Sequence, residues 1–137
     1  MIDTSVALQW VLPEDDAEAS ERLLTRTDMI APDILLVEAA NVLARKLRRD
    51  QIDTQVAYEG LDFIAKVVPQ LLPSRDLTVR ALDLSVELSH PVYDCIFLAC
   101  AERHKAPLVT RDEPLIKRSI EAGYGDFIKS VSYIGEA

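Results

Sequence analysis

The chain of 137 residues carries 23 acidic against 15 basic side chains, a formal charge of −8, with 49% hydrophobic and 28% charged residues. That length and balance fit one domain spanning residues 1–137, and they exclude a disordered or fibrous chain. No run approaches the ~18 uninterrupted apolar residues of a membrane span, and the acidic balance excludes a protein that grips nucleic acid by bulk positive charge.

Short apolar runs alternate with longer helical patterns, which predicts an α/β fold with a mostly parallel sheet of about five short strands. Met1–Asp3 reads as a very short first strand. Thr4–Val11 follows as a helix stopped near Pro13, then Asp15–Arg26 as a second helix with acids in its first turn. Met29–Ala31 is the next strand. Pro32 or Asp33 opens a long helix over Ile34–Arg49, in which Leu35, Leu36, Ala39, Val42, Leu43 and Leu47 keep helical spacing.

Asp53-Thr54 starts a helix that ends before Pro69, and Gln70–Leu72 is a weak strand. Asp76–Leu88 is predicted as a helix with Val79, Leu82, Ser85 and either Val86 or Leu88 facing inward. His90-Pro91 breaks it. Val92–His104, apolar almost all round, reads as a central helix. Leu108–Thr110 is a buried strand, Pro114–Glu121 a short helix, and the Phe127–Tyr133 region holds the last strand. Cys95 and Cys100, with four residues between them, lie in apolar helical sequence, so they read as buried small hydrophobes in a reducing compartment. Without a basic and apolar leader at Met1–Ser5, the expected location is the cytoplasm.

In such a sheet, functional groups gather beyond the carboxyl ends of the strands. Asp3 and Asp112 fall there, and each fits a helix cap equally well. Glu38 and Asp94 stand in apolar surroundings in the first turns of their helices, where the dipole favours negative charge; a solvent-facing acid of the first turn is the alternative. Four carboxylates converging on one pocket need a cation to relieve their repulsion, and oxygen ligands point to Mg²⁺ or Mn²⁺ rather than zinc.

Four segments occur in order: Asp3-Thr4-Ser5; Pro32 with Val37-Glu38-Ala39-Ala40-Asn41-Val42-Leu43; Tyr93-Asp94 with Leu98-Ala99 and Ala101-Glu102-Arg103; and Ala106-Pro107-Leu108-Val109-Thr110-Arg111-Asp112. With these the chain resembles the PIN-domain ribonucleases, in particular the VapC-like toxins of toxin–antitoxin pairs, over essentially its whole length. The resemblance implies a three-layer PIN-like α/β fold and a Mg²⁺- or Mn²⁺-dependent endoribonuclease. By the same token Asp3 and Asp94 are the principal metal ligands. Glu38 and Asp112 act through water or a second ion, and Thr110 shapes the same site. A cognate antitoxin, a homodimer and an RNA substrate are the partners it implies, with no membrane.

Around that core of acids, Arg103, Lys105 and Arg111, with Lys117 and Arg118, are candidates for phosphate contacts. Arg45, Lys46, Arg48 and Arg49 suit a helix C-terminus in any case. Trp10 and Tyr93 can stack bases or belong to the core. Neither histidine is expected to take part: His104 ends a helix and His90 precedes a proline turn. A non-catalytic RNA- or protein-binding module on the same fold is the competing reading. A phospho-receiver or dehalogenase-type phosphatase ranks last: the first would need a phospho-acceptor Asp ending a central strand and a later Lys, the second two Asp close together after the first strand, and neither arrangement is clear.

Overall fold

A computed structural model describes residues 1–12 and 17–133. Its elements are α1 (Thr4–Gln9), α2 (Glu18–Glu21), β1 (Ile30–Pro32), α3 (Ile34–Arg48), α4 (Thr54–Val67), β2 (Gln70–Leu72), α5 (Thr78–Leu88), α6 (Val92–His104), β3 (Leu108–Thr110), α7 (Glu113–Glu121) and β4 (Ile128–Ser130). The α/β class and the parallel pairing match the expectation. β1 pairs with β2 and β3 with β4, both parallel.

The expected first strand is reduced to one residue. Ile2 makes a single parallel bridge to Val109. The Ile2 N–H also donates to Ile30 O (3.3 Å), and the Val109 N–H donates to Met1 O (2.9 Å). Residues 1–3 therefore lie between β1 and β3 and stitch two two-stranded sheets together, in the order β2, β1, Ile2, β3, β4. The segment is too short for a ladder, because Asp3 already caps α1.

Other boundaries shift for local reasons. The helix expected over Asp15–Arg26 is one α turn, Glu18–Glu21, running into a 3₁₀ turn at Arg22–Thr25; Pro13, Asp15 and Asp16 lie outside the described residues. Asp76 belongs to a 3₁₀ turn, Ser74–Leu77, that precedes α5. The last strand is three residues, with 3₁₀ turns on either side. Ser74 rather than Asp33 caps α3: its Oγ accepts from the Ile34 N–H (3.2 Å), while the Ser74 N–H donates to Asp33 Oδ1 (3.1 Å). That reciprocal pair ties the start of α3 to the end of β2.

The core centres on α6, whose residues Cys95–Ala101 are all buried. It packs on α5, β1 and β3. Leu35, Ala39 and Leu43 of α3 are buried as expected, and α3 pairs with α4. α5 bears out Leu88 on the inward face and corrects Val79 and Leu82 of the expected set. Ala81, Leu84 and Leu88 are buried, while Val79, Leu82 and Val86 face solvent. α7 ends where Gly123 takes a φ of +93°, a left-handed step that glycine makes without strain. Among the described residues no helix is long and apolar enough to cross a membrane.

Candidate functional site

Asp3 and Asp112 both cap helices, and each keeps its second carboxylate oxygen for contacts outside its own helix. The Asp3 Oδ1 accepts from Ser5 Oγ (2.6 Å) and from the Val6 N–H (3.3 Å), capping α1. Its Oδ2 accepts from the Thr110 hydroxyl. Asp112 Oδ1 caps α7 by accepting from the Leu115 N–H (3.1 Å), and its Oδ2 lies 3.5 Å from His90 Nε2. Each carboxylate thus spends one oxygen on its own helix and turns the other towards its neighbours. Thr110, fully buried at the end of β3, links them: its Oγ1 also accepts from the Asp112 N–H (3.0 Å).

Glu38 reaches the same place from the second turn of α3. Its Oε1 accepts from Thr4 Oγ1 (2.7 Å), which brings it against the start of α1. Asp94 stands in the first turn of α6, where its Oδ2 accepts from His90 Nε2 at 2.8 Å. The structure therefore couples Asp94 electrostatically to each of the other three acids, and Asp3 to Glu38. Burial is the largest cause holding Asp3 up at about 6. Ser5, Thr110 and the Val6 N–H oppose it, and the Asp94 charge adds to it. Burial likewise raises Glu38 to about 6, against the Thr4 hydrogen bond and with help from the Asp94 and Asp3 charges. Asp94 is also raised, first by burial and then by Asp112, while the His90 hydrogen bond pulls it down. Such mutually repelling carboxylates are stable as anions only with a counter-charge.

His90 is the residue that sequence reasoning missed. It is buried, and one ligand atom each from His90, Asp94 and Asp112 lies within 4.8 Å of the others. A signal was present in the four-residue spacing to Asp94 across Pro91. It was obscured because His90 is outside the helix and is aimed by a left-handed turn at Ser89 (φ 49°). His104 stays at the far end of α6, exposed.

The candidate phosphate contacts divide. Arg103 lies nine residues beyond Asp94, about 14 Å along the helix axis, and its Nη1 donates to Asp76 O (3.2 Å). Lys105 is the left-handed cap at that same end. Neither is brought to the acids. Arg111 is nearer: its backbone N–H donates to Ser5 Oγ (3.2 Å). The Gln9 carboxamide satisfies both of its neighbours when its oxygen faces the Arg111 guanidinium, 3.2 Å from Nη1 and Nε. Arg118 comes closest, with Nη1 2.9 Å from His90 Nδ1.

Trp10 serves the core, its Nε1 donating to Ser20 O (2.7 Å). Tyr93 is 60% exposed, as is Val37 at 68%. Both border a cleft of about 580 Å³ that also contains Thr4 and Glu38. Cys95 and Cys100 are buried free thiols, pushed up to about 11 by burial.

The donor set fits a hard divalent cation. It offers several carboxylate oxygens from four separate elements, with burial raising Asp3, Glu38 and Asp94 above the ordinary carboxylate range. Comparison with protein families places the PIN domain over residues 1–120 of the chain. None of the curated proteins matches it.

Proposed function

Since the chain belongs to the PIN-domain family, typically metal-dependent nucleases, we propose that it is a Mg²⁺- or Mn²⁺-dependent endoribonuclease and the toxin of a toxin–antitoxin pair. The observation that carries this reading is the electrostatic coupling of Asp94 to Asp3, Glu38 and Asp112, with Asp3 and Glu38 raised to about 6, first by burial and then by neighbouring carboxylate charge. Asp3 and Asp94 would hold the principal ion. Glu38 and Asp112 would hold coordinated water or a second ion, and Thr110 keeps Asp3 and Asp112 in register. A divalent ion bound there lowers the pKa of a water and neutralises charge on the scissile phosphate.

The remaining work falls to the chain's own groups. Glu38, fixed by Thr4, is placed to accept a proton from an attacking water. Val37 and Tyr93 offer apolar and aromatic surface on which unstacked bases can lie. An RNA substrate approached through a bound cation reconciles the −8 charge with a phosphodiester target. A cognate antitoxin carrying a basic side chain suits the same acidic pocket, and a homodimer completes the proposed assembly.

Induced expression in a bacterial host tests the toxin role. Growth arrest with RNA degradation is expected from the wild type, relieved by the product of a small neighbouring gene and absent with Asp94→Asn. Unchanged growth and intact RNA at full expression contradict it.

A further inference from the structure

His90 is held more tightly than a loop residue needs to be. Ser89 accepts a left-handed conformation, costly for a residue with a Cβ. The His90 N–H donates to Ser85 O (3.2 Å), and Ser85 Oγ donates to His90 O (2.6 Å). From α7, Arg118 Nη1 donates to Ser89 O (2.9 Å) and also lies 2.9 Å from His90 Nδ1. Backbone and ring are fixed by residues from two helices.

The Arg118 contact settles which ring nitrogen carries the proton. A guanidinium has donors only, so the nitrogen facing it must be an unprotonated acceptor. The proton of the neutral ring is then on Nε2, the atom that lies 2.8 Å from Asp94 Oδ2 and 3.5 Å from Asp112 Oδ2. A protonated Nε2 has no lone pair for a metal. Proximity alone groups His90 with the two aspartates as a ligand triad; the hydrogen-bond chemistry separates it from them. Among the described residues, Asp94 Oδ1 carries no hydrogen bond and stays available.

We propose that His90 is a positioning residue whose Nε2–H fixes the Asp94 carboxylate for metal binding, and that Arg118 sets the tautomer that makes this possible. The inference rests on the metal-binding role proposed above. Outer partners that orient ligating groups contribute about 10–100-fold to metal affinity. Arg118, which touches none of the four acids, acts at a distance through the ring.

The test measures Mn²⁺ binding by the full chain, by titration calorimetry and by the loss of free Mn²⁺ resonance signal, alongside nitrogen NMR of ¹⁵N-histidine-labelled protein. Metal-free wild type should show His90 with Nε2 protonated and Nδ1 bare. His90→Leu should bind Mn²⁺ at least about tenfold more weakly. His90→Gln, whose amide can donate from the position of Nε2, should recover most of the affinity. Arg118→Met should weaken binding while the His90 nitrogen signals move toward a tautomer mixture. Thermal melts of each variant separate misfolding from loss of the site, and Arg118, exposed on α7, supplies the variant least able to unfold the protein.

Equal Mn²⁺ affinity in wild type, His90→Leu and Arg118→Met overturns the proposal. So does a directly bonded Mn–¹⁵N coupling from His90, which would make it a ligand. Wild type that binds no Mn²⁺ at neutral pH overturns the metal-binding role itself and, with it, this proposal.

Discussion

Replacing Asp3 by Asn removes a charge that the fold isolates. Ordinary aspartate titrates at 3.8, and burial holds Asp3 at about 6. Keeping it ionised above that value therefore costs ~3 kcal/mol of folding free energy. Between about pH 4 and 6 the native state binds more protons here than the unfolded chain, so metal-free wild type loses stability as pH rises through that window. Asn is neutral throughout and retains an Oδ1 to accept from Ser5 Oγ and the Val6 N–H. What it gives up is the acceptor for the buried Thr110 hydroxyl, roughly 1–2 kcal/mol. The net expectation in EDTA at pH 8 is that Asp3→Asn is more stable by about 1–2 kcal/mol, a Tm rise of about 3–6 °C for a domain of this size. At pH 4.5 the advantage should vanish. Differential scanning calorimetry at the two pH values, with and without Mg²⁺, makes the comparison; added Mg²⁺ should raise the wild-type Tm and leave the variant unmoved. A variant less stable by the same amount at both pH values would refute the argument, because its effect would then be packing rather than charge.

Three further expectations follow from the same geometry. Thr110→Val keeps the shape of a fully buried side chain but deletes the donor to Asp3 and the acceptor for the Asp112 N–H, so chemical denaturation should show a loss of about 1–3 kcal/mol together with weaker Mn²⁺ binding. Mn²⁺ affinity should fall more steeply than about tenfold per pH unit below pH 6, since both Asp3 and Glu38 must release protons; calorimetric titrations from pH 5 to 7.5 read the slope. Leu98→Ala opens a cavity under the central helix, where the side chain is 1% exposed, and should cost about 2–5 kcal/mol by urea unfolding.

Much of this arrangement was legible in the residues. Asp94 announces itself by opening a helix with no polar face, and Glu38 by standing among Leu36, Val37, Ala39 and Ala40; a charge in such company needs a reason. The capping positions of Asp3 and Asp112 were equally visible, because a cap is a local matter of one side chain and the next three residues. What a linear reading could not supply were relations made by tertiary contact. His90 acquires its role from Arg118, 28 residues away, and from a turn at Ser89 that no glycine marks. Arg103 and Lys105 approach Asp112 in sequence but are carried off by the length of α6. α5 misled for a different reason: Val79, Leu82 and Val86 repeat as regularly as Ala81, Leu84 and Leu88, so periodicity finds two apolar faces and packing chooses between them. The Met1–Asp3 segment was read as a very short strand with no neighbour assigned, and its need to begin α1 at Thr4 left room for one bridge, Ile2 to Val109, instead of a strand.

The most direct measurement is cleavage of a labelled structured RNA by the purified full chain, with Mg²⁺ or Mn²⁺, with EDTA, and with the Asp94→Asn variant. Discrete internal cleavage that requires the metal and is lost in the variant is the predicted result. Cleavage that persists in EDTA or in Asp94→Asn, or intact RNA with a folded protein shown to bind Mn²⁺, would contradict a metal-dependent ribonuclease built on these four acids.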